Sequence, residues 1–129
     1  MDLVVVTTGG RAYDNRSVVY RILDDISERH KIVVVMHGAC PVGIGGLDWL
    51  VDDWAEDRSI PCLRFPPDPR DEEKRFFRRN YRMVKHAVDI AARKDSRIPI
   101  VIAFPGGKGT EMTASISRGF GIRVKQVDK

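Results

Sequence analysis

Cysteine is scarce in this chain, which carries Cys40 and Cys62 and no others. Two thiols cannot build the disulfide framework of a small secreted domain, and their separation fits no metal-ligand motif, so neither a metal nor another cofactor is expected. Long hydrophobic runs are missing too: no stretch approaches the roughly 20 apolar residues that a membrane span needs. Nor does a basic, apolar, small-residue leader precede the strand-like residues that begin at Leu3. The expectation is a cytoplasmic protein with no membrane partner. Linkers and internal repeats are absent as well, so residues 1–129 read as a single domain. At 43% hydrophobic, the chain can bury a core without staples.

Charge is present but uneven. Residues 1–64 hold 7 Lys/Arg against 10 Asp/Glu, whereas residues 65–129 hold 15 against 8. The excess gathers between Arg70 and Lys85, where seven basic residues face three acids. A solvated helix face accounts for most such runs; a phosphate ligand or a polyanionic partner is the other reading.

Continuous β-branched runs mark the strands. Leu3 to Thr8 closes at Gly9-Gly10, and Ile32 to His37 closes at Gly38. Runs without polar alternation belong to parallel strands covered on both faces. Ile60 to Phe65 and Ile98 to Phe104 continue the series, and Ile122 to Val127 alternates like an edge strand. Helical spacing links Val18, Val19, Ile22, Leu23 and Ile26, then Leu47, Leu50, Val51 and Trp54. Asp68-Pro69, with acids after it, predicts the start of a third helix whose apolar stripe includes Phe76, Phe77, Tyr81 and Val84. Ala114, Ile116 and Phe120 mark a fourth. The order βαβαβαβαβ predicts an α/β, Rossmann-like, doubly wound and mostly parallel five-stranded sheet with helices on both faces. In such sheets the ligand crevice lies at the carboxyl ends of the strands.

Three segments at those ends could carry chemistry. Pro105-Gly106-Gly107-Lys108-Gly109-Thr110 follows the fourth strand; its glycines allow close approach, the next helix offers free N–H groups, and Thr110 is a candidate cap. Its lysine precedes the last glycine, so it is no Walker A loop. A tight turn that needs glycine for geometry alone is the competing reading. The segment 37–46 holds Gly38, Gly43, Gly45 and Gly46 around a helix start. Cys40 with His37 is a conceivable nucleophile pair, but nothing orients the histidine as a base. Arg79, Asn80 and Arg82 lie on the basic helix, where arginine suits bidentate phosphate contact and asparagine a ribose or base edge.

Together these motifs resemble the SLOG superfamily, whose best-known enzymes are the Lonely Guy phosphoribohydrolases. Gly38, Gly43 and Gly46 fall on the spacing of their G-G-G-x-x-G-L-M-G loop, with Ala39, Cys40 and Gly45 departing. Arg79 and Met83 match R-K-x-x-M, with Asn80 in place of the lysine. Residues 105 to 110 match P-G-G-x-G-T, but the paired glutamates that follow in the family fall on Met112 and Thr113. The likeness is closer to the small YspA-related proteins of bacteria and phages, through Thr8-Gly9-Gly10-Arg11-Ala12-Tyr13, Arg79 to Met83, and Phe104 to Thr110. The resemblance implies a pocket for a nucleotide or a nucleotide-derived signal, held by Thr8, Gly9, Gly10, Arg11, Gly38, Gly43, Asn80 and the 105–110 loop. The setting it implies is the cytoplasm of a bacterium or a phage-infected host.

Three functions follow as expectations. The first is a binding module that senses or sequesters such a ligand. The second is cleavage of a nucleotide N-glycosidic bond, for which Arg79 and Glu111 are the candidate catalytic residues; Asp14 and Asp48 are weaker alternatives to Glu111. The third, ranked last, is single-stranded nucleic-acid binding by the basic helix and its aromatics. Trp49, Trp54, Phe76, Phe77 and Tyr81 exceed the needs of one small core, so a homodimer or larger homo-oligomer is expected.

Overall fold

The computed structural model describes residues 1–39, 46–70 and 74–129. Five strands alternate with four helices: β1 (Asp2–Thr8), α1 (Arg16–Arg29), β2 (Ile32–His37), α2 (Leu47–Arg58), β3 (Cys62–Arg64), α3 (Arg75–Ala91), β4 (Arg97–Ala103), α4 (Lys108–Gly119) and β5 (Arg123–Gln126). The strands form one sheet in the order β3-β2-β1-β4-β5, with every pair parallel. The expected α/β sheet is present, and parallel throughout rather than mostly so.

The apolar runs of β1 and β2 follow from burial on both faces. Side chains alternate across a strand, so Leu3 and Val5 face one side while Val4 and Val6 face the other. Leu3 and Val5 pack with Leu23 of α1 and Val51 and Trp54 of α2. Val4 and Val6 pack with Met83, Val84 and Ala87 of α3. The chain therefore winds β1-α1-β2-α2-β3 over one face, then crosses to the other side of β1 to lay down α3, β4, α4 and β5. Strand order reverses between β1 and β4, which is where a sheet of this kind opens a crevice.

Prolines trim the sheet where backbone donors would be lost. Pro61 precedes β3, which spans three residues rather than the six expected, although the Pro61 carbonyl still accepts from Val35 N–H at 2.9 Å. Pro99 sits inside β4, opposite Val4, but β5 begins to pair only at Ile100, so the missing N–H falls on an unpaired edge. Asn15 caps α1, accepting from Val18 N–H at 3.4 Å.

Two expectations for the third helix change. Asp68 does not cap it: its carboxylate accepts from Arg70 N–H at 3.0 Å in a local turn, and α3 starts at Arg75. The acids Asp71, Glu72 and Glu73, expected in the first turn, lie outside the described residues. The apolar stripe is also narrower than its spacing implied. Phe77 and Tyr81 are each 45% exposed, whereas Asn80, Met83 and Val84 turn inward. Tyr81 contacts both Phe77 and Phe120 on the surface rather than in the core.

Leu23 is fully buried between α1 and the sheet. Urea unfolding of Leu23→Ala should show a loss of about 2–5 kcal/mol, while Arg21→Ala on the exposed face should stay within about 0.5 kcal/mol.

Candidate functional site

At the carboxyl ends of β1 and β4 the structure opens a cleft of about 600 Å³, within the usual range for a small-molecule site. Its walls come from the turn after β1, from Gly38 after β2, from the first half of α3 and from the start of α4.

The turn after β1 is held from two sides. Gly10 N–H donates to the Pro105 carbonyl at 2.9 Å, and the Gly10 carbonyl accepts from Leu47 N–H at 3.1 Å. Thr7 Oγ1 donates to the Met36 carbonyl at 2.9 Å, tying β1 to β2 just below. Thr8, Gly9, Gly10 and Arg11, the candidate ligand contacts of this turn, all line the cleft.

The 105–110 loop divides into two parts. Pro105 and Gly106 stand behind the wall, where Gly106 is fixed by close approach. A Cβ there would lie 2.8 Å from Gly10 N and 3.0 Å from the Gly9 carbonyl carbon. Gly107, Lys108, Gly109 and Thr110 line the cleft itself. A Cβ on Gly107 or Gly109 would meet no heavy atom within 4 Å, so chain packing demands glycine at neither position. Thr110 is not the cap that its position suggested. Gly107 occupies the N-cap of α4 and no side chain caps it, so the first N–H groups of the helix are left for a ligand or solvent.

α3 contributes Arg79 and Asn80. Arg79 Nη1 donates to the carbonyls of Gly38 and, at 3.3 Å, Phe65, while its Nε donates to Asn80 Oδ1 at 2.6 Å. The guanidinium thus ties α3 to the ends of β2 and β3. Asn80 is buried, with Nδ2 3.5 Å from Met112 Sδ. Of the candidate acids, Asp48 lines the cleft; Glu111 and Asp14 are exposed and are not part of its lining. Gly43 and Cys40 lie outside the described residues.

Beside the cleft lies a buried polar cluster that the sequence reading missed. His37 is fully buried, and its Nε2 lies 2.8 Å from Asp52 Oδ1, while Ala39 N–H donates to its Nδ1 at 3.0 Å. Arg64 clasps Asp52 with two bonds of 2.8 Å, and Cys62 Sγ is 3.7 Å from the same carboxylate. Arg64 holds the Asp52 carboxyl down at about 2, helped by His37 and opposed by burial. Burial, reinforced by Asp52, pushes the Cys62 thiol up to about 12. No sequence signal marked Asp52, which lies one residue, about 100° of helix, beyond Val51 in the apolar stripe yet is buried in the fold.

His37, Asp52 and Cys62 offer ligand atoms within 4.8 Å of one another. Their chemistry does not suit a metal. With Nδ1 accepting from Ala39, the neutral imidazole carries its proton on Nε2, the atom a cation would need. The Asp52 oxygens are already engaged by Arg64, and the thiol is held protonated. The cluster instead fixes the backbone beside Gly38, where Ala39 adopts φ 49°.

One comparison places the chain in a known family. The sequence model of the family described as "YAcAr: YspA, cpYpsA-related SLOG family" matches residues 3–71, from β1 to the segment before α3. No curated protein matches the chain.

Asp52 ionises more easily folded than unfolded, so its contribution is complete above the unfolded value of about 4 and lost as pH falls toward 2. Asp52→Asn should cost about 2 kcal/mol at neutral pH, and its unfolding free energy should converge on that of the unsubstituted protein between about pH 4 and pH 2. The two kinds of glycine should also separate in thermal unfolding. Gly106→Ala should destabilise by about 1–3 kcal/mol, whereas Gly109→Ala, in the first turn of α4, should stabilise by up to about 1 kcal/mol.

Proposed function

The chain belongs to the YspA, cpYpsA-related SLOG family, and from that premise we propose that it binds a nucleotide or nucleotide-derived ligand in the cleft. The observation that carries this reading is the unfilled space at Gly107 and Gly109 beside the uncapped start of α4. Glycine in a helical turn costs stability relative to alanine, and no neighbouring atom requires it at Gly109. A phosphate seated there would make that space necessary: the α4 amides and dipole supply donors, Lys108 adds charge, and Thr110 adds a hydroxyl. Asn80 and Asp48 line the same cleft and suit a ribose, the first as donor and acceptor, the second as acceptor for two hydroxyls.

Binding without cleavage, in a sensing or sequestering role, fits these residues better than hydrolysis. Glycosidic cleavage needs a carboxylate against the sugar as positive charge develops. Glu111, the candidate acid from the sequence, is exposed outside the cleft lining, and Arg79 is bonded to main-chain carbonyls. Asp48 is the remaining acid for a phosphoribohydrolase reading.

The exposed Phe77–Tyr81 stack, with ring centroids 6.4 Å apart, is the observation behind a second reading, single-stranded nucleic-acid binding. Those rings lie outside the cleft lining.

Titration calorimetry with nucleoside phosphates and ADP-ribose should show saturable binding. Gly109→Asp should abolish it while the protein stays folded, because the site has room for the side chain but the new charge opposes phosphate. Binding that survives Gly109→Asp would contradict the proposed phosphate position. An oligonucleotide that binds with a steep salt dependence, while nucleotides do not bind, would favour the second reading.

A further inference from the structure

Asn80 lines the cleft although it is only 3% exposed, so its amide finds partners inside the fold or in a bound molecule. An asparagine amide can serve a ribose or a base edge, but the bonds Asn80 makes within the chain narrow what it offers. Arg79 donates Nε–H to one end of the amide at 2.6 Å. A guanidinium nitrogen has only hydrogens to give, so that end is Oδ1 and the amide cannot be turned round. This leaves Nδ2 as the end on offer, with Met112 Sδ beside it at 3.5 Å. Thioether sulfur is a weak acceptor, and an NH2 group has two hydrogens to place. Among the described residues no oxygen or nitrogen accepts from either of them.

The surroundings of this amide say which part of a nucleotide it meets. Met112 lies within one turn of Gly109 on α4, next to the proposed phosphate seat, and Met83 lies within one turn of Asn80 on α3. Both methionines line the cleft. Their polarizable sulfurs pack well against a flat ring, whereas sugar hydroxyls gain little from thioethers. Asp48, the acceptor for ribose hydroxyls, comes from α2, which packs on the opposite face of the sheet from α3.

Base edges differ in what they present. Guanine and hypoxanthine carry acceptors at O6 and N7, whereas adenine carries an acceptor at N7 beside an amino donor. An O4 acceptor against an N4 amino donor likewise separates uracil from cytosine. A fixed NH2 suits the oxo edges; against an amino edge it would set donor against donor, with its own oxygen already taken. We infer that Asn80, backed by Met83 and Met112, reads the base in this cleft and selects a nucleotide with an oxo edge over its amino counterpart. The inference rests on the nucleotide reading above and adds the class of base to it.

The test is calorimetry on the full chain with two pairs of monophosphates, those of inosine and adenosine and those of uridine and cytidine, at fixed ionic strength. Within whichever pair the cleft binds, the oxo member should bind roughly tenfold tighter, the penalty for leaving a buried donor unmet. Asn80→Asp keeps the acceptor that Arg79 Nε needs, so the fold should survive, as thermal unfolding can check, while its second oxygen replaces the NH2. The preference should then reverse toward the amino member, whatever overall loss the added negative charge brings. Equal affinities within both pairs, or a preference unchanged in Asn80→Asp, would overturn the role of Asn80 and leave the nucleotide reading standing. Absence of binding by all four nucleotides would overturn both.

Discussion

The cleft depends on the contact between two turns, the one after β1 and the one after β4. Gly10 N–H bonds to the Pro105 carbonyl, and Gly106 sits so close to Gly9 and Gly10 that no side chain fits between them. The sheet makes this contact possible, because β1 and β4 are parallel neighbours whose carboxyl ends finish together, with Thr8 opposite Ala103. With the turns locked, the start of α4 has a definite place beside β1, and Arg11 leaves Gly10 toward α3. The proposed phosphate position follows from that junction.

A second constraint acts at the end of β2. His37 is buried, yet all its polar atoms are used: one nitrogen accepts from Ala39, the other meets Asp52, and Arg64 completes the carboxylate. An ion pair this close to the core contributes by being complete, since leaving any member alone would strand a buried charge or donor. It also places Gly38, to whose carbonyl Arg79 reaches from α3. The guanidinium that resembles a catalytic group in sequence is thereby also a strut between α3 and the end of β2.

How much of this was legible depended on the kind of signal. β-branched runs ending in glycine identified β1, β2 and β4, and their lack of alternation foretold burial on both faces. Asp68-Pro69 misled, because an aspartate that can cap a helix can equally close a turn, and only the neighbouring backbone decides between them. The stripe on α3 misled differently. Phe77 and Tyr81 lie near the apolar face by helical spacing, but the sheet covers only the sector of Asn80, Met83, Val84 and Ala87. Among the candidate residues singled out by motif, Thr8 to Arg11, Gly38, Arg79, Asn80 and Gly107 to Thr110 line one cleft. Asp52 and Arg64 were not found, because their pairing joins a helix to an edge strand.

The amino-acid order alone determined the class of fold, since strand-like and helix-like periods alternate and each apolar run has the length of one element. It also determined that glycine would occupy the ends of β1 and β4. What each glycine is for was decided only by tertiary structure. Gly106 is compressed against another backbone while Gly109 faces open space, and nothing in the motif separates them. The same holds for the arginines: their number is written in the chain, but their meeting on Phe76 comes from the turn after β1 and helix α3 brought together by the sheet, and charge acts through distance in space rather than along the sequence.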